Sequence, residues 1–224
     1  MNTVEINAAL MKAFGLDPAT SKVLVVGAGE TGFSVASFLR RQGIKFAVVD
    51  SRDKPPQLDR IRETMPDAPV FAGGFDDAAF SVATHLVVSP GVSLKESSIV
   101  KSLASGAKMI SDIDLLVSCV NAPIVAITGS NGKSTVTTML GEMAKAAGRR
   151  VAVGGNLGTP ALDLLQAGAD LFVLELSSFQ LERMTLLNAA AATVLNVTAD
   201  HLDRHEGMAG YAREKQKIFN GDGV

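Results

Sequence analysis

The sequence has few of the features that stabilise secreted chains or anchor proteins in membranes. Its 224 residues include no tryptophan, one tyrosine and a single cysteine, so no disulfide can form within the chain. Cys119 lies in the apolar run DIDLLVSCV, which predicts a buried thiol. No run approaches the ~20 apolar residues of a membrane-spanning helix, and no basic leader precedes an apolar stretch at the N-terminus. We therefore expect a cytoplasmic protein with no membrane partner.

A dominant charge of one sign is also missing. Lys and Arg total 21 against 23 Asp and Glu, and this near balance argues against long nucleic acid as a partner. Apolar residues make up 47% of the chain and charged residues 20%, which is typical of a globular protein. The length suits one large domain or two modest ones. We expect a monomer that binds small ligands.

Short apolar runs alternate with helix-like stretches, which favours α/β folds with parallel sheets. The predicted strands are 22–27, 45–50, 85–91, 108–112, 124–128, 151–155, 171–175 and 191–197. The predicted helices include 31–43, 95–106, 133–148, 160–168 and 211–219. Two glycine-rich turns lie about a hundred residues apart, roughly one domain length. We predict an α/β protein with a Rossmann-like parallel-sheet domain over 1–111 and a P-loop ATPase domain over 112–224, divided within 111–121.

The first glycine-rich turn, VGAGETG, matches a dinucleotide-binding fingerprint. Its G-x-G-x-x-G glycines, between a strand and a helix, are Gly27, Gly29 and Gly32. Asp50 ends the next strand, where an acid can bind ribose hydroxyls while the glycines let the backbone approach a pyrophosphate. Ser51 and Arg52 follow and could contact a base or a phosphate. Any diphosphate-linked nucleotide fits this geometry, and a tight turn without a ligand is the alternative.

The second turn, TGSNGKST, indicates a triphosphate site. Its predicted ATP-binding residues are Gly129, Ser130, Asn131, Gly132, Lys133, Ser134 and Thr135. The usual pattern places a glycine where this chain has Ile127, so the loop is short. Lys133 would counter phosphate charge, and Ser134 or Thr135 would hold Mg²⁺. Glu175, at the end of the strand LFVLE, is the candidate acid for the same ion.

A third polar cluster, NVTADHLDRH, also follows a strand. Asp200, His201, Asp203 and His205 offer ligands for a metal or a phosphate. The cluster contains no cysteine, which argues against zinc. His201 is nearest the strand end and is the best candidate for a role facing a ligand.

The motifs TGSNGKST, LELSSFQLE and NVTADHLDRH together resemble the Mur ligases, ATP-dependent amino-acid ligases of peptidoglycan precursor synthesis. The resemblance runs from about Lys22 to the end of the chain. It is strongest to the branch that joins D-glutamate to UDP-N-acetylmuramoyl-L-alanine. It implies that the short loop is this family's P-loop, and that the first domain binds the UDP precursor instead of NAD. The implied precursor-binding residues are Gly29, Glu30, Thr31, Asp50, Ser51, Arg52, Ser89, Pro90, Asn156, Ser177 and His201.

The resemblance also implies a reaction through an acyl phosphate, formed when the precursor carboxylate attacks the γ-phosphate of ATP. The implied catalytic residues are Lys133, His201 and Lys215. Two Mg²⁺ ions are implied, with Ser134, Glu175, His201 and Lys215 as protein ligands. Lys215 would serve after carbamylation by CO₂, because an ammonium group would repel the metal. From the residues alone, Lys215 and Lys217 would be solvated helix lysines.

The resemblance further implies that the C-terminal, amino-acid-binding domain is absent and the ATPase domain incomplete. The chain as given is therefore expected to bind the UDP precursor but not to complete the ligation of D-glutamate. Two alternatives stay open. An NAD-linked oxidoreductase follows from the first fingerprint alone, and a non-catalytic nucleotide-binding module follows from the chain's length. A titration with NAD⁺, UDP precursor and ATP would distinguish them.

Overall fold

The computed structural model describes residues 1–221, without the side chain of Ala167. The last three residues of the predicted second domain, 222–224, lie outside the described residues. The chain forms two compact units, Met1–Cys119 and Val120–Val224, here called unit 1 and unit 2. Both sheets contain only parallel strand pairs, which confirms the predicted α/β fold class.

Unit 1 contains a five-stranded sheet with helices in its connections. Its strands are β1 (Val23–Val26), β2 (Phe46–Asp50), β3 (Val70–Ala72), β4 (His85–Val88) and β5 (Lys108–Ile110), in the order β3-β2-β1-β4-β5. Its helices are α1 (Thr3–Phe14), α2 (Glu30–Arg41), α3 (Leu58–Thr64), α4 (Asp77–Val82), α5 (Ser97–Ala104) and α6 (Asp112–Ser118). Every residue of the central strands β1 and β4 is buried, as parallel strands covered on both faces require.

The division between the units follows α6. Ser111 caps this helix through a capping box with Asp114, and the helix packs against α1. The compact units divide after Cys119, one helix beyond residue 111, because α6 makes its packing contacts within unit 1. Cys119 is buried, as the apolar run predicts, and burial raises the pKa of its thiol to about 12.

Unit 2 contains a four-stranded sheet. Its strands are β6 (Ile124–Thr128), β7 (Val151–Gly155), β8 (Leu171–Glu175) and β9 (Ala191–Val194), in the order β7-β8-β6-β9. Its helices are α7 (Lys133–Ala146), α8 (Ser178–Arg183) and α9 (Met208–Gln216), with 3₁₀ segments at Ala161–Ala167 and Lys217–Phe219. The sheet order places β6, which carries the second glycine-rich turn, beside β8, which ends in Glu175.

One predicted helix has a different hydrogen-bond pattern in the structure. The stretch predicted as a helix over 160–168 is a 3₁₀ segment, in which Asp163 N–H donates to the Pro160 carbonyl three residues back. Pro160 precedes the segment and Gly168 ends it in the left-handed conformation, which leaves little length for α-helical bonds.

Across residues 1–221, no helix is both long enough and apolar enough to cross a membrane.

Candidate functional site

The first glycine-rich turn of unit 1 requires glycine for packing. A Cβ on Gly32 would lie 1.8 Å from the carbonyl oxygen of Gly27, so only glycine lets α2 approach the end of β1 this closely. Gly27 itself has φ 102° and faces Ser89, whose Oγ donates to the Gly27 carbonyl at 3.3 Å. A Cβ on Gly29 would meet no atom within 4 Å, so packing does not demand glycine there.

The Asp50 carboxylate accepts four hydrogen bonds from other groups of the protein. Oδ2 accepts from the Ala28 N–H at 2.7 Å and from Arg52 Nη2 at 2.7 Å. Oδ1 accepts from the N–H of Arg52 at 2.9 Å and from its Nε at 2.8 Å. A carboxylate offers about four acceptor positions, and these four bonds occupy them. Burial opposes ionisation, but the bonds to Arg52 and Ala28 prevail and lower the pKa of Asp50.

The unit 1 residues of the predicted precursor site lie at the carboxyl ends of neighbouring strands. Gly29 caps α2, and Glu30 and Thr31 form its first turn. Gln57 Nε2 donates to the Glu30 carboxylate. The others follow β2 and β4: Ser51, Arg52, Ser89 and Pro90. The carboxyl ends of β1, β2 and β4 adjoin in the sheet, so the fold brings these residues to one edge, where ligands bind in open parallel sheets.

The second glycine-rich turn of unit 2 connects β6 to α7. Gly132 caps α7 with φ 80°, a conformation that favours glycine. The ammonium group of Lys133 turns back over the loop and donates to the carbonyls of Gly129 at 2.9 Å and Ser130 at 3.0 Å. Ser134 and Thr135, in the first turn of α7, are exposed. The turn therefore presents a lysine and two hydroxyls at the N-terminus of a helix, where negative charge is stabilised.

Glu175 links two of the predicted residues across the carboxyl edge of the sheet. Its Oε2 accepts from Ser134 Oγ at 2.7 Å, and its Oε1 accepts from Asn156 Nδ2 at 2.7 Å. Glu175 is buried at the end of β8, whereas Ser134 and Asn156 are exposed. The hydroxyl and carboxylate oxygens are the hard ligands that Mg²⁺ prefers, so Ser134 and Glu175 fit one such ion.

Lys215 is buried, which corrects the expectation from the residues alone that it is a solvated lysine. Its Nζ donates to the Gly129 carbonyl at 2.8 Å and lies 4.6 Å from the centre of the Tyr211 ring. Burial, and then the nearby positive charge of Lys133, lower its pKa to about 8. Helix α9 thus places a lysine of lowered pKa against the second glycine-rich turn.

The two remaining predicted residues lie around α8. Ser177 caps this helix, accepting from the Gln180 N–H at 3.2 Å. His201 has φ 50°, is half-exposed, and its ring packs 4.9 Å from that of Phe179 and 3.5 Å from Asp200 Oδ2. Among the described residues, His201 makes no hydrogen bond to Ser134, Glu175 or Lys215. No group of three His, Cys, Asp or Glu side chains within 1–221 could hold a metal ion, so Mg²⁺ would also need phosphate or water oxygens.

Two residues that support the second glycine-rich turn, Asn196 and Tyr211, were not among those predicted from the sequence. Asn196 binds the backbone of the loop through its side-chain amide. Tyr211 places its hydroxyl 3.1 Å from Ser130 Oγ. His205, one of the predicted ligand residues, contacts α8 instead, with Nε2 2.9 Å from Ser178 Oγ. Asn196 is the first residue of NVTADHLDRH, and its position directly after a strand was the available signal.

Comparison with protein families matches both units. Residues 21–111 match the family described as Mur ligase MurD-like, N-terminal domain, and residues 127–223 match the Mur ligase middle domain. These two matched ranges follow one another along the chain.

Individual relatives agree. The chain is 56% identical over 210 residues to the UDP-N-acetylmuramoylalanine–D-glutamate ligase of Methylococcus capsulatus, covering 94% of this chain and 46% of that protein. It is 54% identical over 198 residues to the ligase of the same name from Pseudomonas aeruginosa, covering 88% and 44%. The chain therefore spans less than half the length of these curated relatives.

Solved structures share the fold. UDP-N-acetylmuramate:L-alanyl-gamma-D-glutamyl-meso-diaminopimelate ligase of Neisseria meningitides aligns with a TM-score of 0.59 at 18% identity, over 88% of this chain and 67% of that one. UDP-N-acetylmuramate-alanine ligase of Thermotoga maritima aligns with a TM-score of 0.55 at 18% identity, over 88% and 46%. Since the family matches cover successive parts of both units and the structures agree in fold, the chain belongs to the Mur ligase family.

Proposed function

We propose that the protein joins D-glutamate to UDP-N-acetylmuramoyl-L-alanine through an acyl phosphate, and that this chain supplies the precursor-binding and ATP-binding parts. The observation that carries the proposal is the placement of Glu175 against Ser134 at the start of α7, beside Lys133. An acid at the end of the strand next to a phosphate loop is the arrangement that ATP and Mg²⁺ need. The D-glutamate ligases at 54–56% identity support the choice of amino acid.

The residues of unit 2 suit a reaction between two anions. The precursor carboxylate must approach the γ-phosphate, and Lys133 supplies positive charge where that charge accumulates. Ser134 and Glu175 would hold Mg²⁺, which would neutralise phosphate charge when bound. A second ion, with His201 and Lys215 as ligands, belongs to the same proposal. Attack of the carboxylate on the γ-phosphorus breaks the bond to the β-phosphate, which forms the acyl phosphate and releases ADP. The free D-glutamate amine then displaces phosphate from the acyl carbon and loses a proton, giving the amide.

Lys215 is proposed to act as a carbamate. Its neutral amine attacks CO₂, a C–N bond forms, and one proton leaves, so that the ammonium group is replaced by an anion. Carbamylation needs the neutral amine, and a pKa of about 8 leaves roughly a tenth of the amine neutral at pH 7. An unperturbed lysine would have less than a thousandth in that form.

Unit 1 is proposed to bind the uridine diphosphate of the precursor. Arg52 is held against Asp50 with its side chain half-exposed at the edge that carries Gly29, Glu30 and Ser89. The Asp50 carboxylate is already saturated by four hydrogen bonds, which argues against the acid-to-ribose contact of an NAD-binding site. An NAD-linked oxidoreductase is therefore the weaker alternative, and it also leaves the unit 2 loop without a role.

Calorimetric titration of the chain tests this proposal directly. UDP-N-acetylmuramoyl-L-alanine is expected to bind and NAD⁺ to bind at least ten-fold more weakly, which corresponds to about 1.4 kcal/mol. NAD⁺ binding as tight as that of the precursor would reject the assignment of unit 1. The ligation reaction itself should be assayed in a protein as long as the curated relatives. In that protein, Lys133→Ala should abolish ADP formation. The proposed cytoplasmic location follows from the need for ATP, and light scattering would check the proposed monomer.

A further inference from the structure

The second glycine-rich turn of unit 2, Gly129–Gly132, is proposed above to bind phosphate and is here called the phosphate loop. It is shorter than usual at its centre. Two residues, Ser130 and Asn131, separate its glycines, whereas the common P-loop pattern has four residues there. In the common loop, backbone N–H groups of these central residues point into one concavity and bind phosphate oxygens. The short loop has fewer such groups, so its conformation needs another source of support.

Asn196, which follows β9, binds the backbone of both central residues. Its Oδ1 accepts from the N–H of Ser130 at 3.1 Å and from the N–H of Asn131 at 2.9 Å. Its Nδ2 donates to the Asn131 carbonyl at 3.0 Å. The backbone carbonyl of Asn196 also accepts from the Ser130 N–H, at 3.0 Å. One amide side chain therefore engages three backbone groups of a four-residue loop.

These bonds determine which donors remain for a phosphate. The N–H groups of Ser130 and Asn131 are directed to Asn196. The first intrahelical bond of α7 runs from Val136 N–H to the Gly132 carbonyl, so the N–H groups of Lys133 to Thr135 have no acceptor within the helix. The donors available to an anion are thus concentrated at the start of α7, next to the Lys133 ammonium group.

We propose that Asn196 is a positioning residue for the ATP phosphates. It replaces the support that a longer loop would provide, and it turns the loop so that phosphate oxygens meet the start of α7 and Lys133. The inference rests on the proposed function of the loop as a triphosphate site. Asn196 itself does not touch the phosphates in this arrangement, because its amide is occupied by the loop.

Binding of Mg²⁺-tripolyphosphate by calorimetry tests the inference, since this probe needs no adenine pocket. Asn196→Ala should weaken its binding at least about ten-fold, because the loop loses three hydrogen bonds of ordinary strength. Binding of UDP-N-acetylmuramoyl-L-alanine to unit 1 should not change. Asn121→Ala, which alters an exposed asparagine before β6, is the matched control and should bind both probes as the unchanged chain does.

Lys133→Ala separates failure of this inference from failure of the proposed function. If the unchanged chain binds no tripolyphosphate, or binds it as well after Lys133→Ala, the triphosphate site itself is rejected. If Lys133→Ala weakens binding and Asn196→Ala does not, the site stands and the role of Asn196 is rejected.

Amide hydrogen exchange measured by NMR gives a second readout, independent of affinity. The N–H of Asn131 should exchange slowly in the unchanged chain and fast in Asn196→Ala, because the side chain of Asn196 is its acceptor. The N–H of Ser130, which also donates to the backbone carbonyl of Asn196, and the amides of β6 should stay protected. Asn196→Asp keeps an acceptor oxygen for the Asn131 N–H and should restore its protection. Fast exchange of the Asn131 N–H in folded Asn196→Asp would overturn the inference, even if Asn196→Ala fails to fold.

Discussion

The Nζ atoms of Lys215 and Lys133 donate hydrogen bonds to the same acceptor, the carbonyl oxygen of Gly129, at 2.8 Å and 2.9 Å. One ammonium group reaches this oxygen from the buried face of α9 and the other from the start of α7. Burial is the main reason that the pKa of Lys215 falls to about 8, and the neighbouring charge of Lys133 adds to it. Burial and this pairing together account for the lowered pKa of Lys215.

This lowered pKa predicts how stability depends on pH. The folded state binds fewer protons than the unfolded state between pH 8 and about 10.5, so the unfolding free energy rises with pH in that window. Below pH 8 both states are protonated and the full cost of the buried charge persists, on the order of 3 kcal/mol. Lys215→Met removes the cost. Its stability advantage, measured by urea unfolding followed by circular dichroism in CO₂-free buffer, should shrink from pH 8 to 9.5. Lys145→Met, which alters an exposed lysine of α7, should show no such trend.

Carbamylation of Lys215 predicts a specific NMR signal. With ¹³C-bicarbonate at pH 7.5 to 8.5, the chain should show a carbamate carbon resonance that is absent after Lys215→Ala. Acidification should remove the signal, because protonation of the amine competes with CO₂. Persistence of the resonance in Lys215→Ala would assign it to another amine and remove this lysine from the proposal.

Replacement of Glu175 should separate Mg²⁺ binding from folding. Glu175→Gln keeps one oxygen acceptor for Ser134 or Asn156 but removes the negative charge, so the Mg²⁺-dependent part of ATP binding should fall about ten-fold or more. Glu142→Gln on the exposed face of α7 is the matched control. Calorimetric titration with ATP, with and without Mg²⁺, makes the measurement. An unchanged Mg²⁺ dependence in Glu175→Gln would place the metal elsewhere.

Two glycines of the unit 1 turn should differ sharply in their tolerance of alanine. Gly32→Ala would bring a Cβ against the backbone oxygen of Gly27, which cannot be relieved by a rotamer, so unit 1 should lose about 2 kcal/mol or more of stability. Gly29→Ala meets open space and should stay within about 1 kcal/mol of the unchanged chain. The single tyrosine, Tyr211, lies buried in unit 2, so its fluorescence follows that unit separately. Circular dichroism reports both units, and equal stability of the two variants would contradict the packing argument.

The Asp50–Arg52 pair predicts acid sensitivity of unit 1. Because the pKa of Asp50 is lowered by folding, its contribution is fully present above pH 4 and is lost as pH falls through the folded-state value. Asp50→Asn should destabilise unit 1 by about 1.5–3 kcal/mol at pH 7, since hydrogen bonds to a charged group are lost. This difference should narrow near pH 3. Asp59→Asn, at an exposed position in α3, is the control, and a difference that stays constant down to pH 3 would show that Asp50 acts without its charge.

Most of the described strands, in their sequence along the chain, and the two glycine-rich turns could be predicted because they depend on local signals. Buried parallel strands appear as apolar runs such as VLVV, and each glycine-rich turn lies between a strand and a helix. Six elements escaped prediction, most of them short and with weak periodicity: α1, α3, β3, α4, α6 and α8. The motif residues of the Mur ligases also stand in the sequence in a fixed order, so the family could be identified before any contact was known.

Only the tertiary structure decided what these residues contact. Lys215 is 86 residues along the chain from Gly129, and Asn196 is 65 residues from Asn131. No local sequence pattern indicates such distant pairings. The hydrogen bonds that Ala28 and Arg52 donate to the Asp50 carboxylate were likewise not visible in the sequence. Sequence determines which groups are available, since propensity and motif act over a few residues. Burial, pKa and hydrogen-bond partners depend on groups brought together by packing, and so they became known only with the fold.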